Sequence, residues 1–227
     1  MAGNESAVIS AEATHAGQAA YKAWVLKWVY DALVLGFSNH RLWGCPTTRL
    51  LNLYDTNVTS NHLDVGVGTG WYLDHCRFPD PEPRLALMDL NPNSLAFAAQ
   101  RVARYRPETH QRNVLEPIRF DDPGFDSVGL MYLLHCLPGR MSDKTVVFDH
   151  LRPLMNRGAL LFGATIVQGS APRGPMAQRF MDVYNAKGIF SNRGDTVEAL
   201  GEELAARFPR HDVALVGCVA VFRAFAD

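Results

Sequence analysis

The stretch "NHLDVGVGTGWYL", residues 61–73, decides the fold. A short apolar strand runs into glycines at positions 66, 68 and 70. Glycines spaced so closely allow a sharp turn and let a ligand lie against bare backbone. The dinucleotide-binding fingerprint G-x-G-x-x-G needs a last glycine where helix and strand pack closely. Trp71 holds that place here, and an indole does not permit the approach. Asp64, two residues before the first glycine, would face a pyrophosphate with no Lys or Arg nearby. A phosphate cradle prefers the opposite sign.

S-adenosylmethionine carries a sulfonium and an ammonium and has no phosphate, so an acid at the strand end suits it. The loop is a poor phosphate site and a good sulfonium-nucleoside site.

Working outward, "YKAWVLKWVYDALVLGF" places Tyr21, Trp24, Val25, Trp28 and Ala32 at helical spacing. "TTRLLNLY" reads as a second short helix capped by Thr47 or Thr48. After the glycines, "RLALMDL" is strand-like and ends in Asp89, and "NPNSLAFAAQRVARY" is a helix capped by Asn91 with Pro92 at its first position. "HQRNVL" reads as a third strand and the apolar "FDSVGLMYLL" as a fourth, covered on both faces. "KTVVFDHLRPLM" is helical, "NRG" stops it, and "ALLFGATIV" is a fifth strand. This alternation predicts an α/β Rossmann-like, mostly parallel sheet with right-handed crossovers and helices on both faces. "GPMAQRFMDVYNAKGIF" reads as a helical insertion, and "DTVEALGEELAARF" as a helix with an Asp195-to-Glu198 capping box. "HDVALVGCVAVFRAF" forms two strands around Gly217, an antiparallel finish.

The 227 residues are 48% apolar and 20% charged with a net charge of -1. That composition fits one ordinary globular domain and offers no footprint for nucleic acid or an anionic membrane. Arg101, Arg104, Arg106 and Arg112 crowd one region and read as a solvated helix face. Cys45, Cys76, Cys136 and Cys218 show no CxxC spacing, which speaks against a disulfide framework or a metal site. With no apolar leader after Met1 and no membrane-spanning run, a cytoplasmic protein is expected, either monomer or homodimer. Residues 1–18 read as disordered and 19–227 as one domain, with a helical lid over 19–55 and the insertion over 168–192.

At this point "LDVGVGTG" resembles the first motif of the class I S-adenosylmethionine-dependent methyltransferases of the small-molecule type, akin to methyltransferase types 11 and 12. "RNVLEP", "FDSVGLMYLLHCL" and "LRPLMNRGALLF" follow in that family's order. "SNHRLWGCPT", "LMDLNPNSL", "YLLHCLPG" and "YNAKGIF" look like a narrower group of small bacterial and fungal enzymes. The resemblance implies a seven-stranded sheet with an antiparallel C-terminal strand and S-adenosylmethionine as cofactor. It implies cofactor binding by Asp64, Gly66, Gly68, Gly70, Asp89, Leu90, Asn113, Val114, Tyr132 and Tyr30. Asp89 would take the ribose diol with two acceptor oxygens. Asn113 stands where the family usually has an Asp beside adenine.

The family's lids line the acceptor pocket. Tyr21, Trp24, Trp28, Trp43, Phe180 and Tyr184 are therefore the substrate candidates, with Met176 and Phe37 nearby. They imply a small aromatic or lipophilic acceptor of specialised metabolism. His135 is the candidate general base, ahead of His40, and its plain rival role is fixing the loop "LLHCLPG". The Asn-Pro-Pro-aromatic run of the family's adenine- and glutamine-directed enzymes is missing from "MYLLHC", as are the clustered acids of metal-dependent catechol enzymes. The alternative is a protein that binds S-adenosylmethionine and transfers nothing.

Overall fold

In the computed structural model, residues 38–120, 124–169 and 171–227 are described. Among them a seven-stranded sheet has the order β3-β2-β1-β4-β5-β7-β6. The strands are β1 (Asn61–Val65), β2 (Arg84–Asp89), β3 (Glu108–Gln111), β4 (Phe125–Met131), β5 (Met155–Ile166), β6 (Arg210–Val216) and β7 (Val219–Phe225). The β3-β2-β1-β4-β5 pairs are parallel. β7 runs antiparallel to β5 and also to β6, to which the Gly217 turn joins it.

The helices are α1 (Thr47–Asn57), α2 (Trp71–His75), α3 (Pro92–Arg101), α4 (Met141–Lys144), α5 (Val146–Leu151), α6 (Pro175–Ala186) and α7 (Val197–Ala205). Two apolar layers flank the sheet. One gathers Leu50, Leu53, Tyr54, Leu85, Leu87, Leu95 and Phe162. The other gathers Leu63, Val65, Val128, Phe148, Leu151, Leu200 and Phe222. Alternate residues of β2 point to opposite layers, Leu85 and Leu87 to the first and Ala86 and Met88 to the second, so both its registers are apolar. β1 instead turns Leu63 and Val65 to one face and His62 and Asp64 to the other. Asn91 caps α3 by accepting the Asn93 N–H at 3.0 Å, as expected.

Several local expectations are corrected. α1 begins at Thr47 after Pro46, with no side-chain cap. Thr47 instead accepts a hydrogen bond from Asn39 at 2.9 Å. The helix buries Leu50, Leu53 and Tyr54 in the first layer, so this part of the expected lid is a fixed wall. The third strand lies at Glu108–Gln111, earlier than "HQRNVL". The chain turns at Asn113, whose side-chain oxygen accepts the Leu115 N–H at 3.1 Å. The helix expected over 144–155 is broken into α4, α5 and a 3-10 turn, Arg152–Leu154, around Pro153. "NRG" does not end it: those residues lie inside β5, where the pairing with β4 shifts register.

Asp195 is not a cap. Thr196 caps α7, accepting the Ala199 N–H at 3.0 Å. Asp195 forms a buried ion pair with Lys144, Nζ to Oδ2 2.9 Å, and Lys144 also donates to the Ser191 carbonyl at 2.6 Å. Burial pushes the Asp195 carboxyl up, and the ammonium pulls it back. The pair ties the segment before α7 to α4. Removing one partner strands the other charge, and the expected loss is about 3–5 kcal/mol. Lys144→Met should therefore lower the urea midpoint sharply, and Lys144→Met/Asp195→Leu should recover much of the loss. Equal destabilisation by the single and double variants would contradict this.

Candidate functional site

The carboxyl ends of β1, β2 and β4 carry the site. Gly66, Gly68 and Gly70 have φ of 72°, 53° and 70°. Each sits in the left-handed region, where a side chain costs roughly 1–2 kcal/mol. The Gly66 N–H bonds the Met88 carbonyl at 2.8 Å, stitching the loop to β2. Gly70 starts α2, and a Cβ there would lie 3.0 Å from the Ala98 Cβ and 3.1 Å from its Cα. The close helix contact is thus made at Gly70, and Trp71 turns aside to stack on His75 at 4.0 Å. A cation does reach the loop, which corrects the expectation that none lies nearby. Arg101 of α3 donates to the Thr69 hydroxyl at 3.2 Å and covers the Phe97 ring.

Two acids flank the glycines. Asp64 is buried and accepts the Tyr54 phenol at 2.7 Å. Asp89 is half-buried and accepts the Asn91 N–H at 2.8 Å. Burial pushes its carboxyl up to about 6, while the N–H groups of Asn91, Gly68 and Leu90 pull it down and the Asp64 charge pushes it up. The two acids therefore share one electrostatic neighbourhood with the loop between them. Leu90 follows directly, and its carbonyl accepts the Gln111 amide at 3.2 Å.

Asn113 and Val114 follow β3. The Asn113 oxygen is engaged by Leu115, and its amide donates to Glu116 at 2.9 Å. Val114 is buried, and its carbonyl lies 2.9 Å from the His150 Nδ1. Neither atom of the Asn113 amide is presented without a partner of its own.

Beyond β4, Tyr132 has φ 56°, a rare conformation for an aromatic residue. Such outliers gather at functional sites because the surroundings must enforce them. Here its N–H bonds the Ala164 carbonyl at 2.8 Å, and its phenol donates to the Asn39 oxygen at 3.0 Å. Asn39 is fully buried and its amide reaches Thr47 and, at 3.4 Å, the Tyr72 hydroxyl. Rings collect around this point. Phe190 packs against Trp43 at 6.1 Å, His135 at 4.6 Å and Tyr184 at 5.0 Å, and Tyr184 meets Phe180 at 6.0 Å. Leu133 touches the glycine loop, since a Cβ on Gly66 would lie 3.0 Å from it. The aromatic cluster and the acid-flanked loop are therefore neighbours.

Trp43, Phe180, Tyr184 and Tyr132 are thus brought together. Met176 is 56% exposed and does not join them. Tyr21, Trp24, Trp28, Tyr30 and Phe37 lie outside the described residues. Phe190, Asn39, Tyr54 and Tyr72 belong to the arrangement and were not singled out from sequence. Phe190 stood inside "YNAKGIF" and carried that signal.

His135 is buried, with its Nδ1 accepting the Ile166 N–H at 3.2 Å and lying 3.3 Å from the Thr165 hydroxyl. Burial, then the Lys144 charge, lowers it from 6.5 to about 3. Its lone pair is engaged and its basicity at neutral pH is slight, which weighs against the general-base role. Its carbonyl also accepts the Ser191 N–H at 2.8 Å, so the residue fixes the loop to the 187–196 segment. No group of three or more metal-ligating side chains occurs among the described residues, and no helix there is long and apolar enough to cross a membrane.

A family model described as "methyltransferase domain" matches residues 63–161. The chain is 39% identical over 209 residues to demethylluteothin O-methyltransferase of Streptomyces thioluteus, covering 92% of this chain and 90% of that one. It is 40% identical over 217 residues to the physcion biosynthesis cluster O-methyltransferase of Aspergillus chevalieri, covering 93% and 95%. Among solved structures, the DhpI–SAH complex superposes with a TM-score of 0.65 over 93% of this chain and 95% of that one, at 15% identity, a likeness of fold.

The His135 environment has a measurable consequence. Its folded value lies below the unfolded 6.5, so its contribution to stability is complete above pH 6.5 and is lost as pH falls toward about 3. His135→Gln should flatten the acid limb of stability between those values. An unchanged limb would show that His135 ionises freely in the folded protein.

Proposed function

The chain belongs to the class I S-adenosylmethionine-dependent methyltransferases, and from that premise we propose that it methylates a hydroxyl on a flat, largely apolar small molecule of specialised metabolism. The fold is that of the family, the cofactor is S-adenosylmethionine and the activity is methyl transfer. What carries the finer reading is the ring cluster of Trp43, Tyr132, Phe180, Tyr184 and Phe190 beside the glycine loop. Faces of that kind favour a planar acceptor and keep water out. The choice of oxygen follows two relatives that are themselves named O-methyltransferases.

The donor, when bound, supplies an activated methyl on a positively charged sulfur. The residues present fit it: three left-handed glycines, 66, 68 and 70, turn the loop at the end of β1, and two acids stand at the strand ends. In this reading Asp89 accepts both ribose hydroxyls while the Gly68, Leu90 and Asn91 N–H groups hold its carboxylate. Asp64 lies at the cationic end. Val114 and Leu90 border the adenine, and Asn113 contributes through its turn. Tyr132 and the ring cluster orient the acceptor, and alignment in a dry site supplies most of the rate.

The direct test is incubation with methyl-labelled S-adenosylmethionine and a panel of hydroxylated aromatic compounds, read by mass spectrometry. Methyl ethers on flat phenolic or enolic members are expected, and label appearing only in protein or nucleic acid would overturn the proposal. Asp89→Ala should weaken S-adenosylhomocysteine binding by about 1.5–3 kcal/mol, the range for hydrogen bonds to a charged group. In the unaltered protein, affinity should also fall as pH drops through about 6, because protonation removes the carboxylate that accepts both hydroxyls. Calorimetry showing the same affinity in Asp89→Ala, or no acid limb, would contradict the ribose assignment.

A further inference from the structure

Behind Asp64 lies a buried polar chain that donor binding by itself does not call for. His62 is on the same face of β1, two residues earlier, and is fully buried. The β1–β4 register sets His62 opposite Ser127 and Asp64 opposite Gly129. The His62 Nδ1 lies 2.8 Å from the Ser127 hydroxyl. Its Nε2 has no hydrogen-bond partner and lies 3.6 Å from the Asp64 Oδ2. Ser127 in turn accepts the Thr59 N–H at 3.0 Å and lies 2.9 Å from the Thr59 hydroxyl, which also reaches the Asn61 carbonyl at 3.0 Å.

The electrostatics select one arrangement of protons. A bare Nε2 lone pair aimed at a carboxylate would be repulsive in a site walled by Phe162, Tyr54 and Phe78. Nε2 therefore carries a proton, and in the neutral ring Nδ1 accepts from the Ser127 hydroxyl. Every dipole from Thr59 N–H through Ser127 and His62 then points its positive end at Asp64, and aligned bonds of this kind strengthen one another. At 3.6 Å the last step is a charge–dipole contact rather than a hydrogen bond. Gly129 leaves the gap for it, because a Cβ there would lie 3.0 Å from the Asp64 Oδ2 and 3.2 Å from the His62 Nε2.

We propose that His62, relayed from Ser127, is a positioning residue for the donor: it and Tyr54 hold the Asp64 carboxylate so that its charge is directed at the sulfonium end. This rests on the reading of Asp64 given above. S-adenosylmethionine and S-adenosylhomocysteine differ by the methyl and its positive charge, so their affinity ratio reports the field of Asp64. Both are titrated by calorimetry, without acceptor, into wild-type protein, Ser127→Ala, His62→Leu and Asp64→Asn.

Ser127→Ala and His62→Leu are expected to weaken S-adenosylmethionine binding roughly three- to tenfold while S-adenosylhomocysteine changes far less. Ser127→Ala removes one hydroxyl, so it keeps the test alive should His62→Leu not fold. If Asp64→Asn shifts the ratio and Ser127→Ala does not, or if both ligands weaken in parallel, the positioning role is overturned. If Asp64→Asn leaves the ratio at its wild-type value, the reading of Asp64 fails and takes the proposal with it.

Discussion

The backbone of the glycine loop has to come within hydrogen-bonding reach of the Asp89 carboxylate on the next strand. Much of the site follows from that closeness. Gly68 can send its N–H there because it adopts a φ of 53°. Asn91 serves the same carboxylate with its N–H and caps α3 with its side chain. α3 then presents Ala98, and Gly70 closes against it so tightly that a Cβ would lie 3.0 Å from the Ala98 Cβ. The circuit Asp89, Asn91, Ala98, Gly70, Gly68 closes on itself, so each element fixes the next. A side chain at either glycine would sit in the left-handed region and strain it.

The aromatic cluster depends on two buried asparagines in a comparable way. Asn39 joins the segment before α1 to Tyr132 and Tyr72. Asn192 accepts from Asn185 at 2.9 Å and donates to the Ile166 carbonyl at 3.0 Å, joining the insertion to the end of β5. A buried amide without partners costs several kcal/mol, whereas one that is satisfied specifies a single arrangement. Rings alone would slide over one another, since dispersion has little direction. The asparagines supply the direction, and Tyr132 keeps its left-handed backbone as part of the result.

Most of the sheet was legible because parallel strands announce themselves by apolar runs and α3 by its cap and Pro92. The glycine loop was legible as well, since few other residues tolerate three left-handed positions in five. Illegible parts share one physical reason: their partners are distant in sequence. Asp195 looked like a local cap, and Lys144, 51 residues away, claimed it instead. Asn113 looked free for a ligand, and its own turn consumed it. His135 was attractive as a base until its surroundings were known, because a pattern of letters does not show burial. Tyr54 gave no signal at all, lying on a helix stripe where a core tyrosine reads the same as a tyrosine bonded to an acid.

The two halves of the site also differ in charge, and the difference bears on how they work together. Around the rings, burial pushes Tyr132 up, Cys45 up to about 11 and His135 down to about 3, so each is held in its uncharged form. Beside them, the glycine loop is bracketed by two carboxylates served by N–H and O–H donors. Polarity changes over the width of one loop, with Leu133 at the boundary. A packed apolar cluster screens weakly, so charge placed at its edge acts over a longer distance than it would in water. The charges nearest the uncharged rings therefore lie at their border: Asp64 and Asp89 at the strand ends, Arg101 at the loop and Lys144 beside His135. Charge is thus held by side chains that strands and helices fix in place, and the rings beside them form an apolar cluster.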